Sequence, residues 1–342
     1  MDILMQRRLS QPTFAKQLGL GLDDVRRLTQ GLTSIDSQLA GQLAVLLGPS
    51  KEFWLARERQ FRERMHQDDL EEAQLSPEEW ASQLPLKDMA RFGWIGSTTS
   101  KKEAAIECLH FFEVPSVRAW HRKYRGDLSV AAFRTSPSFA SNPAAVAAWL
   151  KKAEKLSREI ACVKWDRRKF LAKVSELRKL TRQKDPARFI PELTSACAEC
   201  GVALVILRAP SGCRASGATR FLTPERALIV LSFRYRSDDH FWFTFFHEAG
   251  HLLLHDMDAL FLEDGSDVTA NEEREANAFA EEVLVPPSAR AELMAVRPSV
   301  NDIVRFARRL GISPGIVVGQ MQHHGRIRRD RFNGLKRRFV WG

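Results

Sequence analysis

The sequence predicts a mostly helical α+β protein. Apolar residues recur at helical spacing, with capping residues and glycine stops, through most of the 342-residue chain. Short β-branched and aromatic runs are confined to 201–232, as GVALVIL, ATRFL and ALIVLSF. With 44% hydrophobic and 27% charged residues, the composition excludes a wholly disordered chain. The length predicts more than one domain, each with its own core.

The first 66 residues predict a helix-turn-helix domain. QPTFAKQLG forms a helix that closes at Gly19, and a second short helix runs from about Leu22 to Gln30. Two further helices, in SQLAGQLAVLLG and PSKEFWLARERQFRERM, brace this pair. Two short helices joined by a tight glycine-containing turn are typical of the helix-turn-helix. Arg26 and Arg27 on the second helix are the candidate DNA contacts.

Two features of this domain weigh against DNA binding. The second helix begins with Asp23 and Asp24, which suit a helix N-terminus but repel phosphates. The net charge of residues 1–66 is only +3. The alternative is a scaffold for homodimerisation or for recognition of a partner.

Three segments follow along the chain. Residues 67–190 predict an acidic linker and a helical middle region, in which Asn142 and Asp166 begin helices. Residues 191–296 contain the β-runs and the histidine motif described below. Residues 297–342 predict a basic, helical C-terminal segment.

The net charge of +10 is unevenly distributed. Residues 150–189 and 297–342 each carry +9, whereas residues 256–296 carry −9. A basic protein invites a nucleic-acid interpretation, but most of the excess lies outside the predicted helix-turn-helix. We therefore expect the basic segments to dock onto the acidic segment or onto an acidic partner.

The chain lacks the signals of an exported or membrane protein. No apolar run approaches the ~20 residues of a bilayer span. The first residues, MDILMQRRLS, lack the apolar core of a secretory signal. Five cysteines, an odd number, do not predict a disulfide framework. We expect a cytoplasmic protein with reduced thiols and no membrane association.

The strongest chemical signal is the run His247-Glu-Ala-Gly-His251. Four residues make one helical turn plus about 40°, so both imidazoles share a face and can bind one metal ion. Zinc is the natural ion for two imidazoles, one carboxylate and one open position. Glu248 stands beside the first histidine, where it can act as general base on the water that zinc activates. The sequence therefore predicts a catalytic zinc site.

The third zinc ligand is expected on the acidic helix NEEREANAFAEE. Glu273 and Asn277 share one face of that helix, so that Glu273 can bind the metal and Asn277 can hydrogen-bond a ligand histidine. Glu272 and Glu275 are competitors that spacing alone does not exclude. His255 lies one further turn along the histidine helix, either as a fourth ligand or as a cap of the helix C-terminus.

A hydrolase of this kind also needs a group that stabilises the oxyanion. Tyr235 and His240 precede the metal helix by a few residues and are the candidates. The competing interpretation is a surface loop between strand and helix.

Several runs resemble known families. SFRYRSDDHFWFTFFHEAGHLLLH and EREANAFAEEVLVPP are similar to the ImmA/IrrE family of bacterial zinc metallopeptidases, and FAKQLGLGLDDVRRLTQG resembles the helix-turn-helix of HigA-type antitoxins. The resemblance implies His247, His251 and Glu273 as zinc ligands and Glu248 as the catalytic residue. Members of the first family are implicated in cleaving helix-turn-helix repressors, which releases stress-response or mobile-element genes. Others are encoded in toxin–antitoxin-like loci.

The leading hypothesis is a zinc-dependent endopeptidase with a regulatory helix-turn-helix module and a protein substrate such as a transcriptional repressor. One alternative is a DNA-binding regulator or antitoxin-like protein whose metallopeptidase fold is inactive or sensory. A third hypothesis is a structural zinc in an interaction scaffold. The presence of Glu248 argues against it, because a structural site needs no free carboxylate beside the metal.

Overall fold

The computed structural model describes residues 11–21, 24–25, 28, 33–72, 75–97, 100–124, 141–255, 261–263 and 271–339. The chain forms two compact units. One comprises residues 1–80 with 116–126, and the other comprises residues 81–115 with 127–342.

The first unit is helical in its described part. Its elements are α1 (Gln11–Leu18), α2 (Ser37–Leu47) and α3 (Lys51–Glu72), and residues 117–124 are also helical. Asp36 caps α2 by accepting a hydrogen bond from the Leu39 backbone N–H at 2.8 Å, and Gly48 ends it with a φ of 93°. The small core is built from Phe14, Ala15, Leu18, Val25, Leu43 and Leu47.

The helix-turn-helix stays a prediction. Helical residues occur at 24–25 and 28 between α1 and α2, where the sequence predicts the second helix. Arg26 and Arg27, the candidate DNA contacts, lie outside the described residues.

The second unit contains most of the helices and a small sheet, which agrees with the predicted α+β class. A short helix, α4 (Pro77–Ser82), crosses the boundary between the units along the chain. The described helices that follow are α5 (Leu86–Arg91), α6 (Lys101–Phe112), α7 (Pro143–Ser157), α8 (Arg167–Leu177), α9 (Pro186–Ala198), α10 (Asp238–Leu254), α11 (Asn271–Leu284), α12 (Pro287–Ala295), α13 (Val300–Leu310) and α14 (Pro314–His323). Short 3₁₀ helices occupy Arg178–Arg182 and Asn333–Leu335.

The sheet has four strands in the order β1-β3-β2-β4. They are β1 (Val202–Ile206), β2 (Gly217–Thr223), β3 (Arg226–Leu231) and β4 (Phe261–Glu263). β1 pairs with β3 in parallel, and β2 pairs antiparallel with both β3 and β4. The first three strands correspond to the three predicted runs. β4 was not predicted, because three residues are too few to show a period.

The helix α10 lies at the centre of the main core. It contacts β2 and β3, and its central residues are buried almost without interruption. The helix α7 also contacts β1 and β3, but none of its residues, all of which are described, belongs to the core cluster around α10. Because strand side chains alternate between faces, we infer that α7 covers one face of the sheet and α10 the other.

The basic C-terminal segment packs against the beginning of α10. Asp238 accepts a hydrogen bond from the Arg337 backbone N–H at 2.9 Å, and Lys336 Nζ lies 2.7 Å from Asp239 Oδ2. Phe339 is 2% exposed and contacts aromatic rings of the main core. The expected docking onto the acidic segment 256–296 also occurs, through the ion pair between Arg309 and Glu292.

The five cysteines are all free, and Cys197 and Cys200 are buried in the main core. Burial raises the pKa of the Cys197 thiol, which therefore stays protonated. Among the helices that the structure describes, none combines the length and apolarity that a bilayer crossing requires.

Candidate metal centre

The two histidines of the motif lie side by side on α10. The helix brings His247 Nε2 within 3.0 Å of His251 Nε2, and each residue is 2% exposed. Apolar residues on the rest of α10 bury the helix against the sheet and against α11. The sequence thus places two imidazole nitrogens next to each other in a buried part of the protein.

The helix α11 adds a carboxylate to this pair. Glu273 Oε2 lies 3.2 Å from His247 Nε2, and Glu273 Oε1 lies 3.5 Å from His251 Nε2. Within the described part of the chain, these three residues form the one group of at least three potential ligands whose donor atoms lie within 4.8 Å of one another. Glu272 and Glu275, the competitors, do not belong to this group.

A glycine lets the two helices approach closely. A Cβ atom at Gly250 would lie 3.2 Å from the Cα of Ala276 on α11. Ala276 and Ala280 are fully buried along the same contact. Small side chains at this crossing therefore place Glu273 within reach of the histidines.

Glu248 projects from α10 toward the first residue of β2. A Cβ atom at Gly217 would lie 2.5 Å from Glu248 Oε1 and 2.6 Å from Thr244 Cγ2. The Thr219 hydroxyl donates to the Glu248 carbonyl oxygen at 3.4 Å. Strand β2 therefore confines the Glu248 carboxyl, which is 0% exposed.

The electrostatics of the cluster suit a cation. Burial lowers the pKa of His251 to about 4, against the opposing effect of the Glu273 carboxylate, so the imidazole is neutral near pH 7. Burial opposes ionisation of Glu273, but its contacts with His247 and His251 outweigh this effect and lower the pKa of the carboxyl. A neutral imidazole at His251 and an ionised carboxylate at Glu273 are protonation states that metal ligation requires.

The donor atoms lie close enough together to hold one metal ion. Zinc bonds to nitrogen and oxygen are about 2.0–2.1 Å long, so tetrahedral ligands stand about 3.3 Å apart. The two imidazole nitrogens are 3.0 Å apart, and they lie 3.2 and 3.5 Å from the two oxygens of Glu273. The residues present therefore fit a metal ion of the size of zinc.

The outer nitrogens of both histidines also have partners. His247 Nδ1 lies 3.0 Å from Asn277 Oδ1, as the shared face of Glu273 and Asn277 led us to expect. His251 Nδ1 lies 2.9 Å from His255 Nδ1. His255 is also the C-cap residue of α10, and it does not belong to the ligand group.

The structure does not bring Tyr235 and His240 to the cluster. Their rings stack on each other with centroids 4.4 Å apart, and Tyr235 is 41% exposed. His240 precedes His247 by seven residues, which is about 10 Å along a helix axis. Their role as oxyanion groups stays a prediction.

Sequence reasoning missed two contacts of this site. Gly217 stands in a strand, where a glycine often signals a close approach, and the run SGATRFL contains that signal. The second is the contact between His255 and Glu275, whose Nε2 and Oε2 atoms are 3.2 Å apart. The repeated spacing of four residues from 247 to 251 to 255 could have indicated it.

Residues 202–320 match the family model of the IrrE N-terminal-like domain, of the peptidase M78 family. This match supports a metallopeptidase type of domain. The match begins at β1 and ends in α14, so it includes His247, Glu248, His251 and Glu273. No curated protein matches the chain.

Proposed function

We propose that this protein is a zinc-dependent endopeptidase. The observation that carries the proposal is the convergence of His247 Nε2, His251 Nε2 and the Glu273 carboxylate, whose two oxygens lie 3.2 and 3.5 Å from those nitrogens. A zinc ion held by these groups would polarise the peptide carbonyl and acidify the attacking water. The metallopeptidase type of the matched domain supports the same conclusion.

Glu248 performs the proton transfers. Its carboxylate takes a proton from the attacking water as the new oxygen–carbon bond forms. It then delivers that proton to the amide nitrogen as the carbon–nitrogen bond breaks, so the amine leaves neutral. Confinement between α10 and Gly217 of β2 fixes the carboxylate for both transfers.

The substrate that we propose is a protein, and the resemblance described above favours a helix-turn-helix repressor. The first 66 residues lie outside the matched range 202–320. We propose that they form a recognition module, which makes the cleavage regulatory.

Metal analysis tests the zinc site. Purified protein should contain about one zinc per chain. His247→Ala should lose it, because one of three ligands disappears. His323→Ala is the matched control, since His323 is exposed and outside the cluster, and it should retain zinc. A wild-type chain that binds no zinc, even after reconstitution, would refute the proposal.

Cleavage of a proteome-derived peptide library, with new N-termini identified by mass spectrometry, tests the activity. Glu248→Gln should retain zinc and lower the cleavage rate by at least about a hundredfold, because the general base is lost. Equal rates for Glu248→Gln and the wild type would contradict the assigned role.

A further inference from the structure

A chain of hydrogen-bonding groups leads outward from His251 through His255 to Glu275. The chain runs from His251 Nδ1 to His255 Nδ1 over 2.9 Å, and from His255 Nε2 to Glu275 Oε2 over 3.2 Å. The His255 side chain is 4% exposed, whereas that of Glu275 is 61% exposed. The relay therefore joins a buried ligand histidine to a carboxylate at the surface.

The protons of this chain can be assigned in one consistent way. A ligand histidine must direct the lone pair of its Nε2 toward the metal, so a neutral His251 carries its proton on Nδ1. That N–H can only donate, and His255 Nδ1 must accept. His255 therefore carries its own proton on Nε2, from which it donates to Glu275.

The two ligand histidines thus have different outer partners. Asn277 Oδ1 is an acceptor that can hold the Nδ1–H of His247 directly. His255 Nδ1 accepts from His251 only when its other nitrogen is protonated, and the Glu275 carboxylate fixes that state. The backbone also anchors His255, whose N–H donates to the His251 carbonyl oxygen at 3.1 Å.

We propose that His255 and Glu275 are positioning residues that hold His251 in the tautomer and orientation required for binding the metal. The inference rests on the proposed zinc-dependent function. Loss of such an outer partner typically lowers metal affinity by about 10–100-fold. His255 is not a fourth ligand, because its Nδ1 faces the outer nitrogen of His251.

Zinc competition against a chromophoric chelator tests the proposal in the full-length chain. His255→Ala should lower the zinc affinity by about 10–100-fold. His255→Gln should restore it to within a few-fold of the wild type, because its amide oxygen can accept from His251. Glu275→Ala should show a smaller loss than His255→Ala. Glu272→Ala, on the same helix and outside the relay, is the matched control and should bind like the wild type.

The visible spectrum of the cobalt-substituted protein separates positioning from a general structural role. His255→Ala should change the energy and intensity of the cobalt bands, since the angle of the His251 ring changes, whereas His255→Gln should resemble the wild type. Melting of the metal-free variants shows whether they fold. If His255→Ala does not fold, the comparison of His255→Gln and Glu275→Ala with the wild type still decides the question.

The outcomes distinguish the two proposals. A wild-type chain without zinc affinity refutes the proposed function itself. Tight zinc binding by the wild type, with the same affinity and cobalt spectrum in folded His255→Ala or Glu275→Ala, overturns only the positioning role. A loss far above 100-fold with a changed ligand number would show that His255 is a direct ligand, and it would also overturn the inference.

Discussion

At the scale of single residues, the site depends on a glycine, Gly217, as much as on the candidate metal ligands. Gly217 lies where any Cβ atom would press on Glu248 Oε1 and on the methyl group of Thr244. Either the strand or the carboxyl would have to move. The proposed general base is thereby held by a position that contributes no functional group of its own.

Gly217→Ala should therefore impair cleavage without removing the metal. A misplacement of about 1 Å at a catalytic group can cost about a hundredfold in rate, so we expect a loss of about 10–100-fold. The zinc content should remain near that of the wild type, because the three atoms nearest the new methyl group belong to Glu248 and Thr244 and not to His247, His251 or Glu273. The peptide-library assay and metal analysis measure both quantities.

Gly334→Ala is the control for this prediction, since a Cβ atom there meets nothing within 4 Å. It should cleave at the wild-type rate. If Gly217→Ala also cleaves at that rate, the confinement of Glu248 by β2 has no part in the reaction.

The spacing of residues within one helix predicts the histidine pair, whereas the choice of the glutamate depends on how two helices pack. The helical period alone relates His247 to His251. It cannot choose among three glutamates of the next helix, which differ only in rotation about its axis. In the structure Glu273 is buried and Glu275 is exposed, because α11 turns its alanines toward α10.

At the scale of secondary-structure elements, a network of charges around one buried lysine joins two helices that are distant in sequence. Glu113 is the C-cap of α6, with a φ of 56°. Its carboxylate lies 2.8 Å from Nζ of Lys151, which is part of α7, and 2.9 Å from a guanidinium nitrogen of Arg158, which follows α7. Lys151 is 0% exposed. Hydrogen bonds from Arg158 and Lys151 lower the pKa of Glu113 to about 2.

This network predicts a pH-dependent contribution to stability. A carboxyl whose pKa falls from 4.5 to about 2 on folding stabilises the folded state above about pH 4.5. The contribution declines as the pH falls from about 4.5 toward 2, because the unfolded chain then binds a proton that the folded chain does not. Glu113→Gln should therefore lower the free energy of unfolding most at neutral pH, and the difference from the wild type should shrink below pH 4.5.

Urea unfolding of both proteins between pH 7 and pH 3 measures this difference. Glu159→Gln, the next acidic residue after Arg158, removes the same charge outside the network and should leave the pH profile unchanged. A constant difference between Glu113→Gln and the wild type at every pH would show that the ion pairs do not contribute through ionisation.

The sequence predicts most of the helices and strands wherever a local signal, such as a capping residue, is present. Asn142 and Asp166 each cap the helix that follows them, as the sequence predicts, and Ser313 caps α14 in the same way. β4 lacks such a signal, and its pairing with β2 depends on residues more than 40 positions away. Tertiary pairing of a three-residue strand leaves no pattern that a sequence can show.

At the scale of the whole molecule, the net charge of +10 does not describe one basic surface. Part of the positive charge of the C-terminal segment lies inside the fold, where Lys336 and Arg337 contact the beginning of α10. The Arg337 guanidinium donates to the carbonyl oxygens of Thr181 and Gln183. A sum over segments could predict that basic and acidic parts meet, but it could not identify Asp238 and Asp239, since they stand in a segment of balanced charge.

The C-terminal segment therefore stabilises the helix that carries the proposed ligands His247 and His251. Lys336 and Asp239 form a nearly buried pair, with side chains 10% and 8% exposed. Removing one partner of such a pair leaves an uncompensated charge, at a typical cost of about 3–5 kcal/mol. Lys336→Met should lower the free energy of unfolding by about that amount, as measured by urea titration.

The double variant Lys336→Met with Asp239→Asn distinguishes the pair from simple loss of packing. It should recover part of the stability, because no charge is then left buried without its partner. Arg328→Gln breaks an exposed pair with Asp330 in the same segment and should cost no more than about 1 kcal/mol. If Lys336→Met costs no more than Arg328→Gln, the tail does not stabilise α10 through this pair, and the aromatic contacts of Phe339 must hold it instead.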